Sequence, residues 1–199
     1  HQGRLQEQPA RVVVVACSAT ETPRLLLNSK SKAHPNGLGN ANDWVGRNLQ
    51  GHAYSGAYGL FEEEVFDGTG PAARVALCDF NHGNKGITGG AMMANEFIRL
   101  PYLFAKNVRP PRVPRYGTEF KKFVREAYKK TAGVKGPVQE MPLWDNRVEV
   151  DPKVADFWGI PVAAITTRRH PKDAETGRFI AERAAEWLKA SGARETWLQ

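Results

Sequence analysis

With 199 residues, 41% hydrophobic and 25% charged, the chain is long enough to bury a core and too apolar to be a disordered tail. No apolar run approaches the ~20 residues that a membrane-spanning helix requires, so no membrane span is expected, and no secretory signal is visible. Two cysteines, Cys17 and Cys78, are too few for a disulfide scaffold and lack metal-ligand spacing. They read as small core thiols, with one pairing as the alternative.

Residues 11–29 open the pattern. Four consecutive valines, Val12, Val13, Val14 and Val15, predict a short strand buried on both faces. Ser18 and Thr20 are candidate caps, Glu21 and Pro23 suit a first helical turn, and Leu25, Leu26 and Leu27 continue a helix. A strand running into a helix N-terminus aims backbone N–H groups past the strand's carboxyl end, a place where phosphorylated cofactors bind.

Residues 30–43 are a polar loop with a His34-Pro35 turn, and a short helical turn is expected at 44–50. Residues 52–61 alternate around glycines, as in a strand approached closely by another backbone. A break at 67–71 precedes a strand at 74–80. Residues 81–95, NHGNKGITGGAMMAN, carry too many glycines for a helix at ~1 kcal/mol each. They predict an irregular strand or loop, serving either close approach to a flat ligand or a plain bulge.

Residues 109–114 form an extended proline connector leading to a helix at 118–131, capped by Thr118 and burying Phe120, Val124 and Tyr128. Strands are expected at 136–142 and 147–151, joined by a turn at Asp145-Asn146, and again at 161–168. Asp173 caps a last helix whose inner face carries Ile180, Ala184, Trp187 and Leu188, and Gly192 closes it.

Ser18-Ala19-Thr20-Glu21-Thr22-Pro23-Arg24-Leu25-Leu26-Leu27 resembles the second signature of the glucose–methanol–choline (GMC) family of flavin oxidoreductases. Two further blocks follow in the family's order. The first is His34-Pro35-Asn36-Gly37-Leu38-Gly39-Asn40 with Val45-Gly46-Arg47-Asn48-Leu49-Gln50-Gly51-His52. The second is Asn146-Arg147-Val148-Glu149-Val150-Asp151-Pro152, leading through Trp158-Gly159-Ile160-Pro161-Val162 to His170-Pro171-Lys172-Asp173. The chain departs from the pattern after Leu27, where the signature's Ser-Gly tail is replaced by Asn28-Ser29-Lys30-Ser31, and at Gly51, usually acidic.

The resemblance implies an internal segment of a FAD-dependent enzyme of the sugar- and sugar-acid-dehydrogenase branch. Its expected fold is mixed α/β and α+β, with the edge of a Rossmann-like FAD domain in residues 1–52. An antiparallel substrate-domain sheet flanked by helices fills residues 53–199. It places Ala16, Cys17 and Ser18 against FAD through backbone atoms, with Thr22, Pro23 and Asn48 shaping that edge. Gln139 is the candidate for substrate hydroxyls, and Arg168, or Arg169, for a sugar-acid carboxylate. The implied reaction is oxidation of a CH–OH group of a sugar, polyol or sugar acid by hydride transfer to flavin. The family's G-x-G-x-x-G turn and catalytic histidine are absent from this sequence, so the segment alone is expected to be inactive and to need the remainder of its parent chain.

The net charge of +7 is concentrated in residues 99–135. These cations read as the solvated face of the 118–131 helix, and no nucleic-acid motif accompanies them. The alternative reading is an accessory chain without catalysis that binds an acidic partner through residues 99–135. Of the histidines, His34 is expected in an exposed loop and His170 at a helix cap. His52 and His82 flank the segments next to the implied domain edge and the glycine-rich stretch, and none has metal spacing.

Overall fold

The computed structural model describes residues 6–66, 73–96 and 100–199. They form two compact units, one of the residues up to Leu49 with Pro142–Arg168, the other of Gln50–Met141 with Arg169–Gln199. Residues 142–168, expected within the sheet domain, thus pack with the N-terminal segment. The expected break at 67–71 and the cation Arg99 lie outside the described residues.

The first unit contains α1 (Ser18–Asn28) and a hairpin of β5 (Arg147–Ala155) and β6 (Pro161–Thr166). Residues 12–16 adopt neither helix nor strand and pair with no strand among the described residues. Val12, Val13 and Val14 are 78%, 76% and 83% exposed, which corrects the expectation of a strand buried on both faces. A valine run becomes a buried strand only where neighbouring strands satisfy its backbone and cover its side chains. The helical turn expected at 44–50 is also absent, because this stretch docks on the hairpin. Arg47 bridges Arg147, Val148 N–H donates to Gly46 O at 2.9 Å, and Leu49 N–H donates to Asn146 O at 2.9 Å. A Cβ at Gly46 would overlap the carbonyl of Val148.

Arg24 ties α1 to the hairpin. Its guanidinium donates to Asp156 Oδ2 at 2.6 Å and to Pro161 O at 2.9 Å. Asp156 Oδ1 accepts the N–H groups of Trp158 and Ile160 at 2.9 and 3.0 Å, which fixes the hairpin turn. The Arg24 hydrogen bond, then the Ile160 N–H, holds the Asp156 carboxyl below its ordinary range, and the same pairing raises Arg24.

The second unit is built on a five-stranded sheet of order β2-β3-β4-β1-β7, antiparallel at every pairing. Its strands are β1 (Ala53–Leu60), β2 (Ala76–Leu77), β3 (Met93–Asn95), β4 (Thr131–Val138) and β7 (Glu195–Leu198). The strands expected at 136–142 and 147–151, joined by a turn, do not pair with each other: β4 pairs with β1 and β3, and β5 pairs with β6. The chain between β4 and β5 is too long and proline-punctuated for a tight hairpin. Neither β7 nor α2 (Pro101–Asn107) carries a periodicity long enough to be read from sequence.

Helices cover both faces of this sheet. Successive β1 residues alternate between faces, so Ala53 and Ala57 meet α4 (Pro171–Ala190) while Tyr58 and Leu60 meet α2 and α3 (Thr118–Ala127). Small residues on both partners let α4 lie close. Ala184 and Ala185 face the sheet, and Ile180 and Leu188 fill the remainder, these two contributing about 1.5–3 kcal/mol each by burial. His170 and Asp173 form a capping box at the start of α4, with Asp173 as its acidic third residue rather than the cap. In α3 the fully buried residues are Phe123 and Ala127, while Phe120, Val124 and Tyr128 are only partly buried. Its cap is Gly117, without a side-chain bond from Thr118. The stripe is rotated because Phe104 of α2 stacks on Phe123, ring centroids 5.8 Å apart. Both cysteines are exposed and free, not core thiols. Among the described residues no helix is long and apolar enough to cross a membrane.

A Cβ at Gly136 would overlap the Met92 carbonyl oxygen, whereas one at Gly177 on α4 would make ordinary contact with Ser55 at 3.5 Å. Gly136→Ala is expected to destabilise the sheet unit by about 1–3 kcal/mol or more. Gly177→Ala should leave stability equal or raise it by about 0.5–1 kcal/mol; urea unfolding midpoints measure both. Asp156 has a folded pKa below its unfolded one, so its contribution is complete above the ordinary carboxylate range and disappears as pH falls through the folded value. Asp156→Ala should therefore loosen the hairpin turn at neutral pH, with the difference from wild type shrinking in acid, as read by amide exchange at Trp158 and Ile160.

Candidate functional site

The six residues expected at the cofactor all belong to the first unit. Ala16, Cys17 and Ser18 are exposed at the N-terminus of α1, with Thr22 and Pro23 half-buried in its opening turns. Thr22 Oγ1 accepts the Cys17 N–H at 3.0 Å, which pins the entry to the helix and occupies that donor. Ser18 is left-handed, with φ of 78°, although it carries a side chain. Its Oγ lies 3.4 and 3.5 Å from the N–H groups of Thr20 and Glu21, at the outer limit of hydrogen bonding. The first-turn N–H groups are thus oriented along the helix axis with only weak internal partners. Asn48, at φ 54°, is placed instead in the segment docked on the hairpin.

Arg168 also lies in the first unit. Asn146 clamps its backbone, donating from Nδ2 to Arg168 O at 2.9 Å and accepting from Arg168 N–H at 2.8 Å. The guanidinium pairs with Asp145 Oδ2 at 3.1 Å in an exposed setting.

Gln139 stands in the second unit, at the rim of a concavity of about 750 Å³. The site grows from the glycine-rich segment. A Cβ at Gly90 would overlap the carbonyls of Phe80 and Asn81, so only glycine lets the 80–81 loop rest on this backbone. Ala91 N–H then donates to Phe80 O at 3.0 Å, and Gln139 N–H donates to Gly90 O at 3.0 Å. Asn84 Nδ2 closes the loop by donating to both Phe80 O and Gly89 O, each at 3.0 Å. The glycine-rich stretch is thus an irregular segment that approaches a neighbouring backbone and walls the concavity.

His52, Asn81, Met92, Gln139 and Glu140 line the concavity, with Gln50 at its edge. Glu140 is fixed from the opposite wall: Gly51 N–H donates to its Oε2 at 2.7 Å, and Gln50 Nε2 to its backbone O at 2.6 Å. The His52 ring is exposed and sits edge-on to Tyr54, centroids 6.2 Å apart. Among the described residues, Asn81 Oδ1 is buried without a hydrogen-bond partner. Sequence reasoning singled out Gln139 but not Asn81 or Glu140; the adjacent Gly89 and Gly90, which force the loop against β4, were the available signal.

A second concavity of about 600 Å³ lies between α3 and the end of β1. Its walls are mostly charged, and both of its arginines are engaged: Arg112 pairs with Glu195, lowering that carboxyl, and Arg194 with Glu62. Of the basic segment, Lys129 pairs with Glu64, Lys130 donates to Glu62 O, and Lys135 pairs with Glu96. The Lys129 pair is exposed to solvent, whereas the Lys135 pair is largely buried.

No family model matches the chain. Over 199 residues, 98% of the chain and 36% of the relative, it is 30% identical to the 2-methyl-1,2-propanediol dehydrogenase of Mycolicibacterium austroafricanum. It is 27% identical over 198 residues, 96% of the chain and 32% of the relative, to the 6'''-hydroxyparomomycin C oxidase of Streptomyces lividus. It is 32% identical over 75 residues, 38% of the chain and 14% of the relative, to the fructose dehydrogenase large subunit of Gluconobacter japonicus. The chain spans about a third of the length of the two relatives it matches from end to end. Its relatives are oxidoreductases, named as dehydrogenases and an oxidase of alcohol and sugar compounds.

Proposed function

We propose that this chain is part of a FAD-dependent oxidoreductase of the GMC type that oxidises a CH–OH group of a sugar, polyol or sugar acid. The observation that carries the reading is the match over 98% of the chain to a diol dehydrogenase, in the same segment where the three GMC-like blocks occur in order. In this reading the first unit belongs to the flavin domain, of Rossmann type, and the second supplies the substrate-facing sheet.

The residues present fit a flavin dinucleotide at the first unit. Ala16, Cys17 and Ser18 are exposed at a helix N-terminus whose N–H groups are weakly occupied, as an approaching polar or phosphate group requires. The exposed valines at 12–15 fit a strand whose sheet neighbours come from the remainder of the parent chain. The chemistry that the flavin supplies when bound is acceptance of the hydride from the CH–OH carbon. The chain's own contribution is positional: Thr22 fixes the helix entry through Cys17, and the second unit offers a polar concavity for hydroxyl groups.

The test is the full-length protein. It should carry the visible absorption of a flavin, and anaerobic addition of a polyol or sugar substrate should bleach it. A folded, full-length product without flavin absorption overturns the proposal.

A further inference from the structure

Resting on the oxidoreductase reading, the second unit's cavity also specifies a class of substrate. Among the described residues its polar lining is three carboxamides, one imidazole and one carboxylate, with neither lysine nor arginine. Carboxamides and imidazole both donate and accept, which matches a hydroxyl group. A carboxylate ligand calls for a cation, and here it would face Glu140 instead. Of the arginines considered for that task, Arg168 is engaged by Asp145, while Arg169 lines a neighbouring concavity, which shares Val138, beside Asp173 and Gly177.

Asn81 supplies an independent observation. It lines the cavity, yet its Oδ1 is buried and lacks a donor among the described residues. A buried carbonyl oxygen without a partner is unfavourable, and no hydrogen bond holds Oδ1 where it is. Rotation of the amide breaks nothing at that atom, and an entering O–H group provides the donor that the fold withholds.

We propose that the cavity between His52, Asn81 and Gln139 is a hydroxyl-binding subsite that takes neutral polyols or sugars and rejects sugar acids, with Asn81 accepting a substrate O–H. The sugar-acid arm of the broader reading is thereby excluded at this cavity.

Matched probes test this on the full-length protein at physiological salt, which screens the chain's overall positive charge. Glucitol and gluconate share a carbon skeleton and differ at one end in CH₂OH against carboxylate; glycerol and glycerate form a second pair. Binding is followed by saturation-transfer NMR and calorimetry. Each neutral probe should bind at least about tenfold more tightly than its acid, a difference of about 1.4 kcal/mol. Asn81→Leu should weaken glucitol by about tenfold or more while thermal unfolding stays cooperative. Asn81→Asp, which keeps an acceptor, should retain more of that affinity than Asn81→Leu does. Glu140→Gln should narrow the glucitol-to-gluconate ratio.

Equal or tighter binding of the acids overturns the proposal, as does unchanged glucitol affinity in Asn81→Leu or failure of both neutral probes to bind. Flavin bleached by gluconate as readily as by glucitol sinks the subsite and leaves the oxidoreductase reading standing. A protein without flavin that still prefers glucitol through Asn81 sinks the oxidoreductase reading and keeps the subsite.

Discussion

Strand β1 is the constraint on which the second unit depends. It pairs with β4 and β7, and its alternating residues serve two unlike neighbours. Ala53, Ser55, Ala57 and Gly59 are small because α4 lies close on that face. A Cβ at Gly59 would come within 2.9 Å of Ala193. Tyr58 and Leu60 are large because α2 and α3 leave more room on the other. A one-residue slip of β1 would exchange these sets, forcing Tyr58 and Leu60 under α4. Register, helix spacing and core volume are therefore one decision.

The cavity inherits its shape from the same ladder. Because β1 fixes β4, the end of β4 at Val138 stands at a defined height, and the glycine-rich segment settles on it through Ala91 and Gly90. Glu140 then reaches back to Gly51 just before β1 begins. Polar groups from three sequence regions, near residues 51, 81 and 139, thereby surround one space. The polar side chains are carried on short segments at the ends of interior strands, an arrangement suited to variable recognition on a constant scaffold.

The first unit relies on electrostatics and backbone approach more than on a core. Its α1 has no fully buried residue, so a guanidinium shared between Asp156 and Pro161 O contributes much of the definition of helix against hairpin. The contrast with the alanine-packed second unit is physical. Apolar residues that would close a core, the valines at 12–15 above all, face solvent instead.

Local signals were enough for much of this chain. The helix at Ser18, the long capped helix closed near Gly192, the strand at 53–60 and the irregular glycine segment follow from caps, periodicity and glycine chemistry, all encoded within a few residues. The resemblance to an alcohol-oxidising family likewise rested on contiguous blocks. What depended on distant neighbours was not legible. Four valines do not make a strand without a partner, and a helix's buried side is chosen by what stacks on it, as Phe104 does on Phe123. The strands at 131–138 and 147–155 separate because each finds a better mate elsewhere. The gathering of His52, Asn81 and Glu140 around one concavity was likewise decided only in three dimensions. Sequence spacing carries no information about which loops a sheet edge brings together, whereas the backbone hydrogen bonds of that edge determine it.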